Sequence, residues 1–131
     1  MKRIGLLGCG AIGTQIALAI DSGKIPATLT HVYDIKRSQA DNLVSKLKLK
    51  PEVVAHSHLL SSNSVELVVE AASQDAVRKD AVSILQNKKD LMIMSAGALL
   101  DDSVFEVISD ACRDFGKTVM CFIWFIIIYV K

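Results

Sequence analysis

Short apolar runs alternate with longer stretches of helical periodicity along most of the chain. Residues 2–7 close on Ile4-Gly5-Leu6-Leu7 and predict a buried strand. Ile12, Ile16, Ala19 and Ile20 then recur at helical spacing, which predicts a helix over 11–21. Ser22-Gly23 ends it, with Gly23 suited to a left-handed cap, and Pro26 keeps the connection out of helix. Leu29-Thr30-His31-Val32-Tyr33 marks a second strand over 28–34. Ala40, Leu43, Val44 and Leu47 sit at i, i+3, i+4, i+7 on a helix that starts at Lys36-Arg37 and is stopped by Pro51. Lys46, Lys48 and Lys50 form its solvated edge. Glu52-Val53-Val54-Ala55 predicts a short third strand, and residues 66–72 a fourth with its exit. Ser73-Gln74-Asp75 offers N-cap chemistry to a helix with Val77, Ala81, Ile84 and Leu85 on one face. Arg78, Lys79 and Asp80 are expected towards water, and Asn87 is a stop. Leu91-Met92-Ile93-Met94 is a fifth strand. Asp101-Asp102-Ser103 starts a last helix with Val104, Ile108, Ala111, Cys112 and Phe115 on its face, ended by Gly116.

Strands that alternate with helices and are apolar on both faces imply a parallel sheet covered on both sides. The expected fold class is therefore α/β, a doubly wound parallel sheet. Right-handed crossovers give the strand order 3-2-1-4-5-6.

Composition bounds the function. The 131 residues suit one domain, and a hydrophobic share of 51% supports a sizeable core. Fifteen basic and 14 acidic side chains leave a net charge of +1 with no basic stripe, so no nucleic-acid partner is implied. The apolar stretch after Lys2-Arg3 is broken by glycines and fits no secretory signal. Cys9, Cys112 and Cys121 are scattered, odd in number and without metal-ligand spacing, which points to a reducing, cytoplasmic location. His56 and His58 lie at i, i+2 without a clustered third ligand, so they read as loop or short-helix residues and no metal is expected. His31 reads as a packed or edge histidine.

The chemistry sits at the exit of the first strand. Gly8-Cys9-Gly10-Ala11-Ile12-Gly13 joins that strand to the first helix. Gly8 allows the sharp turn, Gly10 lets a pyrophosphate approach the backbone, and Gly13 lets the helix pack close to the sheet. The amides at the helix start and the helix dipole then favour the phosphates. A glycine turn of some other α/β domain would look similar over these six residues alone. Two further features favour a dinucleotide: the motif follows a first strand, and Asp34 ends the second strand about 20 residues beyond Gly13, placed for the ribose hydroxyls. Ligands of such sheets lie beyond the carboxyl ends of the strands, where Ala71-Ala72-Ser73 and Ser95-Ala96-Gly97 leave room for a flat cofactor or form tight turns. The expected cofactor-binding residues are Gly8, Gly10, Ala11, Ile12, Gly13, Asp34, Ala71, Ala72, Ser73, Ser95, Ala96 and Gly97. The cofactor is NAD or NADP: the Asp34 charge repels a 2′-phosphate, whereas Lys36 and Arg37 attract one or merely begin a helix.

Together with Val69-Glu70-Ala71-Ala72-Ser73-Gln74, Ala76-Val77 and Ser95-Ala96-Gly97-Ala98, the glycine motif resembles the nucleotide-binding half of L-aspartate dehydrogenase over residues 1–118. The resemblance implies a Rossmann-type NAD(P)-binding domain and an oxidation of L-aspartate to iminoaspartate that feeds NAD biosynthesis. It also implies a second domain carrying the substrate pocket, the catalytic histidine and homodimer contacts, none of it encoded here. No catalytic residue is assigned, and the chain alone is expected to bind cofactor without turning over L-aspartate. Homoserine dehydrogenase and dihydrodipicolinate reductase share the glycine turn but fit the Glu-Ala-Ala-Ser-Gln stretch less well. A non-enzymatic NAD(H)-sensing module is the reading from another class.

The chain departs from that family after residue 118. A short strand and a Ser-Gly-Ala-Ile-Gly-Gly type turn are expected, but residues 120–131 read Met-Cys-Phe-Ile-Trp-Phe-Ile-Ile-Ile-Tyr-Val-Lys. Such a run is too short to span a membrane as a helix, for which about 20 residues are needed, and long for a buried strand. Residues 119–131 are expected to be an aberrant apolar tail, from a lost reading frame or a truncated gene, or the start of a sixth strand.

Overall fold

Strand β1 (Lys2–Leu7) is the middle of the sheet and fixes everything around it. In the computed structural model, which describes residues 1–123 and 126–130, β1 pairs in parallel with β2 (Ala27–Tyr33) on one side and β4 (Leu67–Glu70) on the other. Beyond β2 lies the two-residue β3 (Glu52–Val53); beyond β4 lie β5 (Asp90–Ile93) and β6 (Val119–Ile123), all parallel. The order is β3-β2-β1-β4-β5-β6, the doubly wound arrangement expected, with β7 (Ile126–Val130) added antiparallel to β6. Trp124, Phe125 and Lys131 of the apolar end lie outside the described residues.

Helices cover both faces, and the core divides accordingly. On one face α1 (Ala11–Asp21) and α2 (Arg37–Ser45) bury Ala17, Ile20, Ala40 and Leu43 against Leu6, Val32 and Val69. On the other, α3 (His56–Ser61), α4 (Gln74–Gln86) and α5 (Asp102–Phe115) bury Leu59, Val77, Ile84, Leu85 and Ile108 against Val68, Leu91 and Ile93. Each fully buried Leu or Ile contributes about 2 kcal/mol, so the alternation of apolar runs with amphipathic helices determines the layering. No helix of the described residues is long and apolar enough to cross a membrane.

Local chemistry sets the boundaries. Ser73 caps α4 by accepting the Ala76 amide at 3.0 Å, and Asp101 caps α5 by accepting that of Ser103. Gly116 closes α5 in the left-handed conformation, φ 63°. Helix α2 is shorter than its periodicity predicts: it ends at Ser45 rather than running to Pro51. The Asp21 carboxylate takes the amides of Lys48 and Leu49, each at 2.9 Å, and Lys50 Nζ caps the Val44 carbonyl at 2.9 Å. These bonds draw the chain towards the end of α1, while Leu47 stays buried outside the helix.

Candidate functional site

The turn out of β1 is built so that only glycine fits at its key positions. Gly8 has φ 105°, and a Cβ there would lie 2.6 Å from the Ala71 carbonyl oxygen. A Cβ on Gly13 would lie 2.1 Å from the Gly8 carbonyl oxygen, so the first turn of α1 is seated directly on the strand exit. Gly10 is different. A Cβ there would meet nothing closer than Gln39 Oε1 at 3.8 Å, an ordinary van der Waals contact, so the protein itself does not crowd this glycine. Gly10 is also the N-cap of α1 and offers no side-chain acceptor, and the first turn carries no acidic residue. The helix thus presents its positive end to the opening with no acidic side chain of its own against it, which suits a diphosphate.

Asp34 lies across this opening. Its Oδ2 accepts the Cys9 amide at 2.9 Å and its Oδ1 the Lys36 amide at 2.8 Å. Each oxygen keeps a lone pair for a further donor. The Cys9 thiol beneath is pushed up to about 12, first by burial and then by the Asp34 charge, and is no nucleophile at neutral pH.

A cleft of about 450 Å³ runs from the glycine turn across the carboxyl ends of β2, β1 and β4. Six of the residues expected from the sequence meet in it: Gly8, Gly10, Asp34, Ala71, Ala72 and Ser73. Ala11 lines a neighbouring depression with Cys9 and Gln39. Gly13 lies buried under the turn, and Ile12 stands on the surface of α1, 54% exposed. Ser95, Ala96 and Gly97 are not among the residues lining the cleft. They sit one strand further, in β5's exit and the 3₁₀ turn Ala96–Leu100.

The far wall of the cleft departs from the sequence expectation. Asp80, expected towards water, is instead 5% exposed, because it accepts a hydrogen bond from His56 Nε2 at 2.9 Å. His56 packs edge-on against Tyr33, ring centroids 5.3 Å apart. Both His56 and Asp80 line the cleft with Lys36 and Lys79. The sequence does carry a signal: Asp80 falls with Val77, Ala81 and Ile84 at i, i+3, i+4, i+7, so a charge occupies the apolar stripe. Glu70 is a second residue whose place the sequence conceals. It ends an apolar strand, is 1% exposed, and accepts five hydrogen bonds from the exits of β4 and β5.

Comparison with known proteins agrees with this geometry. The model of the NAD-binding domain of homoserine dehydrogenase matches residues 8–121. An L-aspartate dehydrogenase of Nitrosopumilus maritimus (strain SCM1) is 65% identical over 119 residues, which is 91% of this chain and 44% of that protein. One from Methanocella arvoryzae is 42% identical over 114 residues, 87% of this chain and 42% of that protein. The resemblance read from the Glu70-to-Gln74 stretch therefore holds, and the chain spans less than half the length of these relatives. Among solved structures, a putative myo-inositol dehydrogenase from Sinorhizobium meliloti 1021 superposes with a TM-score of 0.83 at 21% identity, over 93% of this chain and 36% of that one. The WlbA dehydrogenase from Bordetella pertussis, solved with NADH and UDP-GlcNAcA, gives a TM-score of 0.79 at 19% identity, over 93% of this chain and 37% of that one. These two share the fold.

Proposed function

We propose, for a chain that belongs to the family described as the NAD-binding domain of homoserine dehydrogenase, that residues 1–118 are the cofactor-holding half of an NAD(P)-dependent L-aspartate dehydrogenase. The observation that carries the reading is the open, uncapped N-terminus of α1 facing Asp34 across one cleft. The amides of the α1 first turn receive the diphosphate, and the space at Gly10 admits it. Asp34, held by the Cys9 and Lys36 amides, accepts the adenosine ribose hydroxyls. Tyr33 and the exposed Ile35 offer flat apolar surface beside it for the adenine. The exits of β4 and β5, Ala71 to Ser73 and Ser95 to Gly97, lie towards the nicotinamide, which supplies the hydride acceptor when bound.

NAD is favoured, with NADP tolerated. The Asp34 charge opposes a 2′-phosphate, while Lys36 lines the cleft. Arg37 points instead to Asp41, 3.9 Å away.

The substrate is proposed to be L-aspartate on the strength of the 65% identical relative, with turnover requiring the remainder that such relatives carry. A chimera of residues 1–118 with the C-terminal remainder of the Nitrosopumilus maritimus relative tests whether these residues serve as the cofactor half of such an enzyme. Aspartate-dependent NADH formation by the chimera, and none by this chain alone, is the expected result. A folded chimera that forms no NADH from aspartate overturns the reading.

A further inference from the structure

Glu70 carries a burden that nothing in the sheet requires of it. It closes an apolar strand, is 1% exposed, and among the described residues forms no ion pair with any Lys, Arg or His. Burial of such a charge is costly unless donors surround it. Five do. Oε2 accepts from the Ala72 amide at 2.8 Å, the Ser73 amide at 3.0 Å and Ser95 Oγ at 2.7 Å. Oε1 accepts from the Met94 amide at 3.2 Å and the Ser95 amide at 2.9 Å. Four of the partners are amides that can only donate, and they bond both oxygens, which is the environment of a carboxylate acting as acceptor. A neutral amide of the same shape would turn its own donors against two of them.

These bonds join two loops. Ala72 and Ser73 form the exit of β4, and Met94 and Ser95 that of β5. The loops also touch directly: a Cβ on Gly97 would lie 2.3 Å from Gln74 Nε2. The pair stands at the carboxyl ends of adjacent parallel strands, where ligands of doubly wound sheets lie. Asp34 and β2 are on the opposite side of the glycine turn.

We infer that Glu70 is a positioning residue for the nicotinamide end of the cofactor, and that its buried charge favours the oxidised ring over the reduced one. The inference rests on the cofactor reading above. The oxidised nicotinamide ring is a cation and the reduced ring is neutral. A carboxylate held behind the two turns proposed to face the ring attracts only the first, and its own burial, 1% exposed, limits screening on its side.

Titration calorimetry of the chain and its Glu70→Gln variant with NAD⁺, NADH and ADP-ribose separates the possibilities, since ADP-ribose lacks the ring. The expected result is a fall in the preference for NAD⁺ over NADH by about threefold or more in the variant, with ADP-ribose affinity retained. An unchanged preference, or a loss for ADP-ribose as large as that for NAD⁺, overturns the inference. Should Glu70→Gln fail to fold, Ser95→Ala removes one donor and keeps the charge. Both nicotinamide forms are then expected to weaken while ADP-ribose does not, and no selective weakening overturns the inference. A wild-type chain that binds none of the three ligands overturns the cofactor reading and this inference with it.

Discussion

Asp34 accepts a hydrogen bond from the Cys9 backbone amide at 2.9 Å, so the carboxylate that follows β2 also fixes the glycine turn that follows β1. The proposed ribose holder and the proposed diphosphate holder are one mechanical unit. Asp34→Ala is expected to weaken binding of NAD, and also of adenosine diphosphate, by at least about tenfold, because a hydrogen bond to a charged group is worth roughly 1.5–3 kcal/mol. Asp34→Asn keeps one acceptor and is expected to lose less. Calorimetry with both ligands checks this, and an Asp34→Ala chain that keeps its NAD affinity contradicts the role.

The contact between Gly13 and the Gly8 carbonyl predicts a second outcome. A Cβ at 2.1 Å from that oxygen forces α1 away from the strand exit. Gly13→Ala is expected to cost about 2 kcal/mol or more in stability. It should also weaken cofactor binding, since the helix start moves with it. Urea unfolding with and without NAD measures both effects.

The His56–Asp80 pair predicts an asymmetry. Asp80 is buried, while the His56 side chain keeps 32% of its exposure. His56→Ala leaves the carboxylate buried and unpartnered and is expected to destabilise the chain by about 2–3 kcal/mol. His56→Ala combined with Asp80→Ala removes the stranded charge, and the double variant is expected to recover part of the loss. Thermal unfolding of the two variants checks the order.

Cys9 predicts a pH dependence. Its thiol is raised from 9.0 to about 12, chiefly by burial and further by the Asp34 charge. Below 9 both folded and unfolded chains hold the proton, and the contribution to stability is complete. Between 9 and about 12 the unfolded chain releases the proton while the folded chain keeps it, so this contribution is lost as pH rises. Alkylation of Cys9 near neutral pH is expected to follow unfolding rather than native exposure, and mass spectrometry of the labelled peptide reads it out. Cys9→Ala is expected to flatten the alkaline loss of stability.

Much of this is legible in the residues because the signals are local. The alternation of Ile4, Leu6 and Leu7 with the helical spacing of Ile16 and Ile20 marks a strand and a helix, and the glycines between them mark the turn. Ser73, Asp101 and Gly116 announce their caps for the same reason. What the sequence conceals depends on partners distant along the chain. The early end of α2 comes from Asp21, which takes the Lys48 and Leu49 amides. Asp80 is buried because His56, 24 positions earlier, is folded back onto it. Glu70 looks like the polar end of a strand until Met94 and Ser95 arrive from β5 to share its oxygens. Apart from the charge that Asp80 places in the apolar stripe of α4, these non-local hydrogen bonds to side chains leave no periodicity to read.

The central claim, that a diphosphate sits against the backbone at the start of α1, is tested most directly at Gly10. The free chain accepts a Cβ there, which would lie in ordinary contact 3.8 Å from its nearest neighbour. A Gly10→Ala chain is therefore expected to fold with a circular dichroism spectrum and unfolding midpoint close to the original. In calorimetric titration with NAD⁺ the original chain is expected to bind at a single site and the folded Gly10→Ala chain to bind at least about 100-fold more weakly, a difference near 2.7 kcal/mol. Equal binding by the two folded chains, or none by the original, would contradict it.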